Sequence, residues 1–217
     1  MATPSSRGFS LISLMIGLSL GVIAVLAMMF AYKSLVSNAL SFTQSTSLVN
    51  QSLTSALVLN RILVPAGYGI GPTLSTPGGA VNTDIVLISG ASLSGQSLTG
   101  TQVSISASSA SGTALVWDSN TSGSIQCSGL IFNSNTLSRL GPEDCTGATQ
   151  WSSLTWSSSQ PLTGSSSFTG ITFSVMTTTC WPYMGGTGTT KNGVQVTLNG
   201  LSAYTTATTY CLPNIPN

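Results

Sequence analysis

The chain has 217 residues, 41% of them hydrophobic and only 4% charged, with a formal net charge of +1. So small a charge cannot neutralise a row of phosphates, which excludes nucleic acid as a primary ligand. Histidine is absent, removing the commonest general base and the commonest metal ligand, so the expectation is a non-enzyme with no cofactor and no metal site. Low charge does not imply disorder here, because disorder needs low hydrophobicity together with high net charge.

The first element is an apolar run from Phe9 to Tyr32, with Arg7 before it and Lys33 behind. As a helix it would span about 36 Å, enough to cross a bilayer. The leader ahead of it, MATPSSRG, is short, and the apolar run is longer than the core of an ordinary secretion signal. Gly17 and Gly21 are the places where this helix is expected to bend or unwind most easily.

The residues Arg7-Gly8-Phe9-Ser10-Leu11-Ile12, followed by Leu14-Met15-Ile16, resemble the type IV prepilin signature. The resemblance implies that a prepilin peptidase cuts after Gly8. Phe9 would then become a methylated N-terminus, and the apolar helix would stay on the mature protein. It also implies partners: other pilin subunits packed through Ser13, Leu14, Ile16, Gly17 and Gly21, and an inner-membrane assembly platform. One position departs from the family, which usually carries glutamate where this chain has Ser13. A lone carboxylate at membrane depth costs about 2.5–3.5 kcal/mol on insertion scales. Ser13 avoids that cost and forgoes pairing with a neighbour's N-terminal amine, which in the family implies a minor or initiating subunit.

Helical spacing continues past Lys33. Leu35, Ala39 and Phe42, then Val49, Leu53, Ala56, Leu57 and Leu63, form an apolar stripe at three- and four-residue intervals. Pro65 and Gly67 end it. The stretch Leu59-Asn60-Arg61-Ile62-Leu63-Val64-Pro65-Ala66-Gly67-Tyr68 is similar to the segment closing the long helix in PilW-type minor pilins, although the proline is untypical.

Beyond it the sequence predicts strands at Asp84–Ser89, Gln102–Ala107, Ala114–Asp118, Gly123–Phe132, Gly170–Thr177, Val194–Asn199 and Tyr204–Leu212. Asn192-Gly193 predicts a turn, and the Ser/Thr/Gly-rich stretches 89–100 and 157–170 predict loops. The four cysteines, Cys127, Cys145, Cys180 and Cys211, suit an oxidising compartment. Three pairings are open; Cys127–Cys145 with Cys180–Cys211 is expected because each closes a modest loop. The loop between the latter two, with Trp181 and Tyr183, is a candidate contact or adhesive edge.

Chemistry is hard to assemble from the rest. Glu143-Asp144 is the sole adjacent acidic pair, read as a solvated turn rather than a calcium site. So few titratable groups predict a head of nearly constant stability from pH 7 to about pH 2. The expected architecture is α+β: a leader at 1–8, a long helix over 9–64 and a mainly antiparallel β head over 65–217. The helix would hold the membrane or filament core over 9–32 and turn amphipathic over 33–64. The expected role is a minor subunit of a type IV pilus-like filament, in the inner membrane before assembly and at the cell surface after it. A type II secretion pseudopilin, a major pilin of an acid-tolerant filament and a membrane-anchored ligand-binding β domain are the alternatives.

Overall fold

The computed structural model describes residues 11–71, 78–163, 170–180, 191–200 and 207–216. The chain forms two units, Met1–Ser47 and Leu48–Asn217. One helix, α1, runs from Leu11 to Leu63. No proline interrupts it, and Leu, Ala and Met are strong helix formers. Through its Ser/Thr-rich middle, the hydroxyls of Thr43, Ser45 and Thr46 donate to the carbonyls of Ala39, Ser41 and Phe42 at 2.8, 2.8 and 2.9 Å. These side chains thereby bond within the helix instead of competing for its backbone. Gly17 and Gly21 lie inside the continuous helix.

The second unit is an antiparallel β domain built on the last turns of α1. A six-stranded sheet runs in the order β2-β1-β4-β5-β6-β7, and a four-stranded sheet in the order β10-β9-β8-β3. In the larger sheet, β1 is Ile85–Ser94, β2 Ser97–Val103, β4 Ala114–Ser119, β5 Gln126–Asn133, β6 Thr136–Asp144 and β7 Ser159–Pro161. In the smaller, β3 is Ala110–Gly112, β8 Thr172–Cys180, β9 Lys191–Asn199 and β10 Thr208–Leu212. The architecture is therefore the α+β one read from the sequence: a long apolar N-terminal helix and a mostly antiparallel β domain.

Two cores explain the pattern. Ile85-Val86-Leu87-Ile88 and Ala114-Leu115-Val116-Trp117 are continuous apolar runs because the larger sheet is covered on both faces. Their odd-numbered residues join Leu59, Leu63 and the inner face of the smaller sheet in one core. Val86, Ile88, Ala114 and Val116 face a second core closed by Trp151 and Trp156. Trp151 sits on a single 3₁₀ turn, Ala148–Ser152, and the Trp156 indole donates to its carbonyl at 3.1 Å. The smaller sheet buries one face alone and keeps strict alternation at Phe173, Val175, Val194, Val196 and Leu198.

Several expectations need correction. The helical stripe is out of phase near its end: Leu53 and Leu57 are 55% and 69% exposed while Ser55 and Leu59 are buried, and of the expected leucines Leu63 alone is buried. Ser55 takes a core-facing position because its hydroxyl donates to the Leu162 carbonyl at 3.2 Å. Much of the predicted loop 89–100 is a hairpin, with β1 running to Ser94 and β2 starting at Ser97. Exposed on most of its surface, it needs no apolar alternation, so hydroxyl-rich strands read as a loop. The predicted Asn192-Gly193 turn lies inside β9, paired with Thr179 and Thr178. Gly193 is there for space, since a Cβ would stand 2.9 Å from the Leu212 carbonyl oxygen. The predicted strand at Gln102–Ala107 ends at Val103, and Ile105 is instead held by Asn82. The Asn82 amide accepts from the Ile105 N–H at 2.7 Å and donates to its carbonyl at 3.0 Å. Strand β6 was not expected; Ser134 and Asn135, both at positive φ, form the tight turn leading into it.

Candidate functional site

From Leu11 through Tyr32, α1 carries no charge and keeps its large apolar side chains outward: Leu11 is 80% exposed and Phe30 74%. Over Leu11–Ser47 it is long and apolar enough to cross a membrane. Leu14 and Ile16 belong to this exposed apolar surface. Ser13, Gly17 and Gly21 recur at four-residue spacing, which puts them along one side of a helix. At both glycines a Cβ would meet nothing within 4 Å. Small residues in that arrangement allow a second helix backbone to approach closely. Gly8 and Phe9, the expected cleavage site and N-terminus, lie outside the described residues.

In the second unit, the helix ends where the sequence requires. Pro65 lacks an N–H, and Gly67 adopts φ 73°, a left-handed turn that favours glycine. A Cβ at Gly67 would also lie 2.5 Å from Ile215 Cγ1. The Gly67 N–H donates to the Asp118 carbonyl at 2.8 Å, and the Asn120 N–H to the Tyr68 carbonyl at 2.7 Å. The Ala66-Gly67-Tyr68 stretch is thus stitched to the end of β4.

Two disulfides hold the domain. Cys127–Cys145 ties β5 to the residue following β6, with Cα atoms 5.8 Å apart, and Cys180–Cys211 joins β8 to β10 at 5.7 Å. Trp181 and Tyr183 of the intervening loop fall outside the described residues. Glu143 and Asp144 stand on β6, not in a turn, and take separate partners. A Glu143 carboxylate oxygen accepts from the Ser157 N–H and hydroxyl at 2.8 and 2.6 Å, and Asp144 accepts from Gln126 at 3.3 Å. Among the described residues no group of three or more His, Cys, Asp or Glu could hold a metal ion.

The titratable feature missed from sequence is a buried pair, Asp84 and Asp118, 9% and 1% exposed. The Asp118 N–H donates to the Asp84 carbonyl at 3.1 Å, and Asp118 Oδ2 accepts from the Ala148 N–H at 3.1 Å. Burial, and then the neighbouring Asp84 charge, push the Asp118 carboxyl up to about 7, against the opposing pull of the Ala148 N–H. A signal existed: Asp84 immediately precedes the apolar run Ile85–Ile88 and Asp118 immediately follows the run Ala114–Trp117, and antiparallel pairing of Ile85 with Trp117 sets them opposite.

The chain matches no family model, no curated protein and no solved structure.

Proposed function

We propose that the protein is a structural subunit of a type IV pilus-like cell-surface filament, in the manner of a minor, PilW-type pilin. The supporting observation is one uninterrupted helix, Leu11–Leu63, apolar and exposed all round in its first half. Its last turns enter the core of a disulfide-stapled β domain at Leu59 and Leu63. Each Leu, Ile, Met or Phe side chain removed from water contributes roughly 1.5–3 kcal/mol, so this surface favours lipid first and copies of itself afterwards. Ser13 brings no charge into that environment, and the Ser13-Gly17-Gly21 side gives neighbouring helices a place to pack. The leader ending in Arg7-Gly8, with Phe9 behind it, supplies the processing site for a prepilin peptidase. Before assembly the subunit sits in the inner membrane at the assembly platform; afterwards it belongs to the filament, with other pilin subunits as partners.

The test is intact-mass spectrometry of filaments sheared from native cells. The expected species starts at methylated Phe9 and is lighter by four hydrogens for two disulfides. At trace level relative to another pilin it is a minor subunit; as the dominant species it is the major one. A protein confined to membranes and uncut at Gly8 refutes the proposal.

A further inference from the structure

A cavity of about 620 Å³ opens between the end of α1 and the face of the larger sheet formed by β4 to β7. The chain has five Lys and Arg residues, and two of them, Arg61 on α1 and Arg139 on β6, line this one cavity. None of the four carboxylates does. Each of these has other company: Asp84 and Asp118 lie together, Glu143 holds Ser157, and Asp144 holds Gln126. Neither guanidinium has an ion pair among the described residues, and Arg139 Nε is buried with no hydrogen-bond partner. A buried donor on a cation is costly to leave unpaired. Arg139 carries that cost, the exposed Arg61 lines the same cavity, and with no internal counter-charge for either the two suit an anion from outside.

The remaining walls narrow the ligand. Strand register sets Gln160 directly beside Arg139, Ser128 beside Trp117, and Gln126 beside Ser119. These neutral amides and hydroxyls both donate and accept, which suits hydroxyl groups. Pro65, Pro161, Leu162 and Trp117 supply apolar surface for C–H faces. The volume lies within the usual range for small-molecule sites, and a lone inorganic anion would fill little of it. Guanidinium forks match carboxylates in bidentate geometry.

We infer that this cavity is a binding site for an acidic sugar, whose carboxylate sits between Arg61 and Arg139 while its hydroxyls meet Gln126, Gln160 and Ser128. The site belongs to the second unit alone, the last turns of α1 included, and does not rest on the filament role proposed for the first.

Isothermal titration of the full chain in detergent micelles, with digalacturonate and N-acetylneuraminate as probes, tests this. Cellobiose serves as the neutral comparator and sulfate as the inorganic one. At least one acidic sugar is expected to bind saturably, to weaken as salt is raised, and to bind about tenfold or more tightly than cellobiose and sulfate. Arg139→Gln and Arg61→Gln should each weaken it about tenfold while the domain still unfolds cooperatively. Should Arg139→Gln fail to fold, Arg61→Gln decides, since Arg61 is exposed on the helix. Failure of both acidic sugars to bind overturns the inference, as does equal binding of cellobiose or full affinity in the folded arginine variants. Sulfate binding as tightly as the sugars overturns the sugar assignment.

Discussion

Acidification is expected to stabilise the β domain, and Asp118→Asn to remove most of that response. Asp118 is 1% exposed, and its carboxyl stands at about 7 against an ordinary 3.8 in an unfolded chain. Between those values the folded state holds more protons than the unfolded one, so stability falls as pH rises through the window and is fully kept below it. At 1.36 kcal/mol per unit, a displacement of about three units has a ceiling of about 4 kcal/mol. Water and backbone relaxation near a buried charge bring the working expectation to roughly 2–3 kcal/mol. For a domain of this size that is a rise of about 5–10 °C in melting temperature between pH 7.5 and pH 4.5. The assay is thermal unfolding of the full chain in detergent, followed by circular dichroism at both pH values. Asp118→Asn should melt at or above the parent at pH 7.5 and show a much flatter pH response. A parent that melts no higher at pH 4.5 than at pH 7.5, or a variant that keeps the parental response, refutes the reasoning. A sloping profile is therefore expected in place of the flat one read from scarce charge, because the buried Asp118 carboxyl outweighs the more exposed Glu143 and Asp144.

Leu59→Ala should destabilise the domain by about 2–5 kcal/mol, since Leu59 is wholly buried between helix and sheets, whereas Leu57→Ala should stay within about 0.5 kcal/mol. Urea unfolding of the two variants measures the phase of the helix on the core directly. Replacing Cys180 and Cys211 together by serine should lower stability by roughly 3–4 kcal/mol on the loop-entropy account, and reductant should then have no further effect at that bridge.

The parts legible in the sequence were those where one physical demand acted alone. The apolar run ahead of Lys33, the proline stop at Pro65 and the doubly buried strands around Val86 and Val116 each follow from burial or backbone geometry. The misreadings arose where two demands overlapped. Ser55 occupies a core position because a hydrogen bond to Leu162 offsets its polarity, which shifted the apparent helical stripe toward Leu53 and Leu57. Gly193 looked like a turn because asparagine precedes it, although its lack of a side chain serves the passage of Leu212. Asp84 and Asp118 meet only once the two apolar runs they flank are paired, and Arg61 and Arg139 line one cavity through a helix and strand placement that no local spacing records.

The end of α1 is secured by residues about 150 positions further along the chain. The Asn214 amide donates to the carbonyls of Val64 and Ala66, 150 and 148 residues earlier, and the Tyr210 hydroxyl to that of Ala56, 154 residues earlier. During synthesis these helix carbonyls emerge long before their donors, and such distant contacts form late. The apolar helix is thus available to a membrane while the domain behind it is still open. Closure of that domain reports that the chain has been made through Asn214.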